Sequence, residues 1–400
     1  MDEKKLLAGA GTVEVSMDEG CLPVDGFTAV HDPLHVRALV LEDGKRTVIV
    51  SVEITSIFPP TQKRFEETIQ NVTCAARENI WLCLTHSFSG PHIWPRDGKG
   101  PALSEEELSR CERIEDAYAA ALEMALKAAL TSMRPAVMGH ARGESSVAVS
   151  RNVETEEGWW LGSNPNGPCD RSLPVVRIDG EDGTPIAVLF NYGVRSEVMS
   201  PLKLVSSDLC GNASVRIEKT LGVPAIFLCG ACGDQEPGKK GSVEALNEQS
   251  ETLAADVLEL YEGINPKQVM SVQSGSTTIT CPTKWMNRDL KSLRPTRTAE
   301  FAPDGEKKTT AYVLRLGSFT LVGVQPEIDG ITSKEIAFGV SGENVAVCVM
   351  VNGGDKCMPE REAYELVKYQ CLNSPYMPGA AEALRDAAIG LVNQLKEGNQ

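Results

Sequence analysis

The feature that most constrains this chain is an apolar pentad that runs straight into a histidine loop. Ile80, Trp81, Leu82, Cys83 and Leu84 are followed by Thr85-His86-Ser87-Phe88-Ser89-Gly90-Pro91-His92. A short apolar run closed by turn residues reads as a buried strand. A strand that ends this way sets the imidazole of His86 at a sheet edge, where active sites of layered α/β proteins are commonly built.

Strand and helix signals interleave along the rest of the sequence. Residues 36–40 and 47–54, around Glu42-Asp43-Gly44-Lys45, predict a hairpin with an Asp-Gly turn. Phe65, Ile69 and Val72 recur at helical spacing. Ser104 with Glu107 is a capping-box pattern that opens a long helix to about residue 132, with Leu122, Leu126 and Leu130 on one face and Pro135 beyond its end. Residues 158–170, rich in Gly, Asn and Pro, read as a loop. Further strands are expected at 185–192, 225–229 and 345–351, and a hairpin at 312–316 and 319–324. Helices are expected at 209–221 (closed by Gly222), 243–261 and 379–395. This interleaving predicts an α/β fold of layered mixed sheets, with residues 1–400 as a single domain.

Composition narrows the function. The formal net charge of −16 predicts repulsion from nucleic acid and anionic membranes. Met1-Asp2-Glu3-Lys4-Lys5 leads into only a short apolar patch, not a signal-peptide core, and no run reaches the length of a membrane span. The twelve cysteines are scattered, with Cys83, Cys229 and Cys348 inside apolar strands, which predicts buried reduced thiols. The expectation is a cytoplasmic protein acting on a small soluble molecule, with no nucleic-acid or membrane partner. No feature sets an oligomeric state. The sequence has no phosphate-cradling G-x-x-x-x-G-K-[ST], no H-E-x-x-H and no G-x-S-x-G.

Several segments, in order, resemble the neutral ceramidase superfamily of zinc amidohydrolases. Thr85 to Pro91 resembles its T-H-T-H-S-G-P signature. His31-Asp32-Pro33-Leu34 with Arg37 resembles H-x-x-L-x-x-R. Arg151-Asn152 resembles an N-R pair in reverse order, and Asn164-Pro165-Asn166-Gly167-Pro168-Cys169-Asp170 resembles N-P-x-G-P-x-D. Asn191-Tyr192 looks like the start of N-Y-A-C-H-P, Ser207-Asp208 like S-A-D, and Gly230 to Pro237 like G-A-A-G-D-Q-N-P. Pro326-Glu327 is similar to P-G-E, and residues 352–359 to N-G-Y-L-G-Y-L-P. The resemblance spans nearly the whole chain and implies the ceramidase catalytic domain without its immunoglobulin-like C-terminal domain.

The resemblance implies a zinc held by two His, one Glu and one Tyr. It places His86 as the first His and Glu327 as the Glu. Arg195 stands at the second His, Cys357 at the Tyr, and Phe88 at the second His of the signature. Arginine has no lone pair to offer a metal, whereas a cysteine thiolate is a good zinc ligand. His86, Glu327 and Cys357 are therefore candidate ligands for one Zn2+, with His92 a spare. In the competing reading Arg195 pairs with Glu327 and supplies a fixed positive charge in place of the metal.

Candidate catalytic residues are His86, Asp208, Arg195 and Cys357, with Asp208 orienting His86 or taking a proton. Candidate substrate-binding residues are Arg151, His31, His92 and Tyr369. His35 reads as a surface residue. Trp159-Trp160 either walls a pocket or packs the loop down. Cys229 and Cys232 have redox spacing but no thioredoxin-like context. The expected function is hydrolysis of an amide or ester bond. Two alternatives stay open: a metal-free enzyme using Cys357 and Arg195, and a catalytically inactive small-molecule-binding protein.

Overall fold

Two β-sheets pack face to face, and helices cover the outer side of each. The computed structural model describes residues 5–397 apart from 19, 97–100, 270, 288 and 341–343. Met1 to Lys4, part of the N-terminal segment considered above, lie outside the described residues. The larger sheet has eight strands in the order Ala225–Cys229, Pro185–Tyr192, Ser172–Gly180, Arg134–Glu144, Leu7–Glu14, His35–Glu42, Arg46–Val52 and Ile80–Leu84. Its first two strands run parallel, as do its last two; the other pairs are antiparallel. The smaller sheet orders Val272–Lys284, Pro303–Leu316, Phe319–Val324 and Asn344–Cys348, the last pair parallel.

The alternation of side chains explains the layering. Along Ile80–Leu84, Ile80, Leu82 and Leu84 face one core and Trp81 and Cys83 the other. Successive strand residues point to opposite faces, so a continuously apolar strand must be covered on both. Trp81, Leu39, Ile49, Leu189 and Leu228 fill the space between the sheets with Leu314, Leu321 and Cys348. On the outer side of the larger sheet lie the helices Pro59–Thr73, Glu105–Thr131, Asp208–Leu221 and Val243–Gly263; Gly330–Gly339 and Ala380–Glu397 cover the smaller sheet.

Local signals set the ends of these elements. Ser104 and Glu107 make the reciprocal capping box, and Gly222 closes Asp208–Leu221 in the left-handed conformation. The long helix Glu105–Thr131 lies tight on Leu7–Glu14. A Cβ at Gly9 would sit 2.1 Å from the carbonyl oxygen of Ala129, so only glycine fits there.

Two expectations need correction. Within residues 158–170, Trp159–Asn164 is a strand rather than loop, because it pairs with Ala148–Glu154, which in turn pairs with Gln235–Pro237. His35 is buried, not a surface residue. Its Nδ1 lies 3.2 Å from Glu53 Oε2, and its backbone N–H donates to the same oxygen at 2.7 Å.

Glu53 draws His35 inward because it anchors a buried ion network. Arg37, 1% exposed, donates to Glu53 and, at 2.8 Å, to Glu218 of the helix Asp208–Leu221. Burial alone would raise the Glu53 carboxyl, but Arg37 and His35 outweigh it and hold the group below the usual range. A depressed carboxyl stabilises the fold above the unfolded pKa, about 4.3, and the contribution is lost as pH falls through the lower folded value. Glu53→Gln should cost about 3–5 kcal/mol at pH 7 by leaving Arg37 short of a counter-charge, and the deficit should shrink under acid conditions. Urea unfolding at pH 7 and pH 3.5 checks both statements; a variant as stable as the parent at pH 7 contradicts them.

Candidate functional site

The carboxyl ends of strands from both sheets deliver one buried cluster. His86 follows Ile80–Leu84, Arg195 follows Pro185–Tyr192, Cys232 follows Ala225–Cys229, and Glu327 follows Phe319–Val324. Glu327 opens a two-residue strand that pairs in parallel with Cys357–Met358, so Glu327 and Cys357 are direct register partners.

The loop that carries His86 is tied down by its backbone. Thr85 N–H donates to Val52 O at 3.0 Å and Phe88 N–H to Ser196 O at 2.8 Å. His86 itself has φ +55, a left-handed conformation that a non-glycine residue holds only when its surroundings enforce it. Its Nδ1 lies 2.7 Å from the carbonyl oxygen of Thr55. A carbonyl only accepts, so Nδ1 carries the hydrogen, and Nε2 is left facing the cluster. Nε2 lies 3.4 Å from Glu327 Oε1, is buried, and has no aligned hydrogen-bond partner.

Glu327 is the common neighbour. Arg195 Nη1 donates to its Oε1 at 2.9 Å, and the Cys232 thiol lies 3.7 Å from the same oxygen. Cys357 Sγ lies 3.3 Å from Oε2. Burial would raise the Glu327 carboxyl, but Arg195 and His86 hold it well below the usual range. Burial, and next to it the Glu327 charge, push the Cys357 thiol well above its ordinary value. The neighbouring Cys229 thiol, 3.7 Å away, and then burial do the same to Cys232. Both thiols are therefore protonated at neutral pH as the cluster stands.

Phe88 and Arg195, which stand where the resembled motifs carry histidines, meet each other. The guanidinium carbon of Arg195 lies 4.2 Å from the centroid of the Phe88 ring, a cation–π contact, and the same ring meets His86 edge-on at 4.6 Å.

The ligand atoms of His86, Cys232 and Glu327 lie within 4.8 Å of one another and form a buried group able to hold a metal ion. Nitrogen, sulfur and oxygen donors suit zinc, and the unbonded Nε2 of His86 fits a ligand role. Cys357 meets the other oxygen of Glu327 and lies at the edge of this group. Cys232, noted in the sequence only for its redox spacing with Cys229, was not expected as a ligand, although a signal was present: it stands where the motif G-A-A-G-D has its second alanine.

No protein-family model matches the sequence, and no curated protein matches it. Solved structures do. The neutral ceramidase from Pseudomonas aeruginosa aligns with 98% of this chain and 75% of its own, with a TM-score of 0.77 at 17% identity. A ceramidase complexed with C2 aligns with 98% and 76%, with a TM-score of 0.76 at 16% identity. The chain has the neutral ceramidase fold.

On this ceramidase-like frame the other expected site residues take varied places. Asp208 is buried, but of its two expected roles, orienting His86 or taking a proton, it does not fill the first. Its carboxylate accepts the backbone N–H groups of Val198, Met199 and Leu209 and the hydroxyl of Ser89, while Thr55 orients the imidazole. Asp208 thus fixes the loops beside the site. His92 is bonded through Nδ1 to Asp25 at 2.6 Å, lies against Trp94 and does not belong to the group of His86, Cys232 and Glu327. His31 is exposed, 3.8 Å from Asp32. Arg151 donates through Nε to Gly233 O at 2.8 Å, and Tyr369 lies beneath its guanidinium and against Trp160.

Among the twelve cysteines only Cys74 is exposed. In the native protein at pH 8, an alkylating reagent should modify Cys74 first and leave Cys232 and Cys357 among the slowest. Peptide mapping of the labelled sites checks this. Cys357 reacting as fast as Cys74 would contradict the protonated, buried thiol described above.

Proposed function

We propose that this protein is a hydrolase that adds water across an amide or ester bond of a small soluble molecule. The observation that carries the reading is the His86 imidazole. Its Nδ1 is held by Thr55, and its Nε2 is buried, unbonded and beside the Glu327 carboxylate. A buried polar atom without a partner is costly unless a ligand, an ion or a transferred proton uses it. The ceramidase fold, with the amidohydrolase chemistry its sequence resemblance implies, supports the same reaction class.

In the first version His86, Cys232 and Glu327 hold one zinc ion. Zinc there would supply a Lewis acid and a bound water of lowered pKa. Arg195, beside Glu327, is placed to steady negative charge that develops on the substrate's acyl oxygen. Cys357 bears on Glu327 Oε2 and helps fix the orientation of the carboxylate.

A second version is favoured by the Arg195–Glu327 contact. The guanidinium lies on Glu327 Oε1 and rests on Phe88, so it provides a fixed cation without a metal. Here His86 Nε2 accepts the proton of the attacking water, the acyl C–N or C–O bond breaks, and the proton passes to the leaving nitrogen or oxygen. Without a metal Cys357 is a poor nucleophile, because burial and the neighbouring Glu327 charge push its thiol well above the ordinary value.

Metal analysis of the purified protein separates the two versions. The first predicts about one zinc per chain and turnover lost to chelators. No bound metal, with turnover indifferent to chelators, selects the second. In both, His86→Ala should lower hydrolysis of a panel of small amides, lactones and esters by about 10²–10⁴-fold. Unchanged turnover in that variant contradicts the assignment, and ligand binding without any turnover by the parent leaves a binding protein.

A further inference from the structure

Two arginines are wholly buried among the described residues, and they are treated differently. Arg37 has two carboxylates. Arg151, 4% exposed, has no carboxylate within 4 Å among the described residues, and its Nη2 is buried without an acceptor. A buried guanidinium without a directly paired carboxylate is unfavourable, and the usual resolution is an acidic partner or an anionic ligand.

Arg151 is also fastened to the site. Its Nε donates to the carbonyl of Gly233, the residue after Cys232, and Gln370 Nε2 donates to the same carbonyl at 3.1 Å. Gly233 N–H donates in turn to Ile328 O, the residue after Glu327. The backbone passes so close that a Cβ on Gly233 would meet Asp329 Oδ1 at 2.1 Å. The carboxylates of Glu327 and Asp329 sense Arg151 only through space. Tyr369 lies under the guanidinium at 5.7 Å, and Trp160 closes on Tyr369 edge-on at 5.4 Å. Two more buried atoms near this spot have no partner, the Oε1 of Gln370 and the Oδ1 of Asp329.

We infer that Arg151 is the recognition residue for an oxyanion carried by the substrate, so that the hydrolysed amide or ester belongs to a molecule bearing a carboxylate or a phosphate. The inference rests on the hydrolase reading for the word substrate, but anion binding at Arg151 can be tested without turnover. The guanidinium fork binds either oxyanion through paired hydrogen bonds, with the Tyr369 ring holding its plane. Gln370 Oε1 is available to a donor on the same ligand.

The test is titration calorimetry with three matched probes: N-acetylglycine, N-acetyl-O-phosphoethanolamine and the uncharged N-acetylglycinamide. The parent protein should bind at least one anionic probe about tenfold or more tightly than the uncharged one. Which anion wins identifies the carboxylate or the phosphate as the group. In Arg151→Gln the preference should fall to within about twofold, and in Arg151→Lys, which keeps the charge but not the fork, it should be intermediate. If Arg151→Gln does not fold, the parent and Arg151→Lys decide. Equal affinity for all three probes, binding of none, or a preference that survives in Arg151→Gln or is undiminished in Arg151→Lys overturns the inference. Release of acetate, followed separately, tests the hydrolase reading. Anion preference without acetate release removes that reading and keeps the anion site, whereas acetate release without anion preference does the reverse.

Discussion

Everything in the cluster depends on where the Glu327 carboxylate is held. One oxygen carries the Arg195 guanidinium and the approach of His86 and Cys232; the other faces Cys357. A buried carboxylate is expensive unless its charge is met, and here the Arg195 guanidinium meets it. The fold contributes the geometry. Glu327 and Cys357 are locked by strand pairing, and His86 is pinned by Thr55. Strain at His86, with a positive φ, persists because the ends of strands on both sides bond its loop.

The residues that differ from the ceramidase-like motifs form a connected set. Phe88 supplies a ring for Arg195, Arg195 takes an oxygen of Glu327, and Cys232 and Cys357 bring sulfur to the two oxygens of the same carboxylate. All of these contacts converge, directly or through Arg195, on one buried carboxylate.

Much of the fold was legible because its signals are local. Ile80–Leu84 is apolar at every position, Ser104 and Glu107 carry their capping box in plain view, and Gly222 marks a helix end. The first strand, Leu7–Glu14, gives no such signal: Gly9 and Gly11 interrupt its apolar pattern because a helix packs directly on its backbone. Trp159–Asn164 hid among turn residues because its strand character comes from its partner, not from its own composition. The site was legible in part. His86, Arg195, Glu327 and Cys357 stand on motifs, but contacts between distant segments decided the rest. Asp208 is absorbed by backbone donors, Cys232 comes forward from a glycine-rich turn, and His35 is drawn inward by Glu53.

The central claim is that Arg195 and Glu327 form a buried, mutually dependent pair at the heart of the site. A double-mutant cycle with Arg195→Met, Glu327→Gln and the double variant, read by denaturant unfolding at pH 7, tests it most directly. Arg195→Met leaves Glu327 without its guanidinium, and Glu327→Gln leaves Arg195 with only Glu197, at 3.6 Å, so the account predicts single-variant costs of about 3–5 kcal/mol and a double variant that recovers much of the loss. Costs that simply add, with a coupling below about 0.5 kcal/mol, would contradict it.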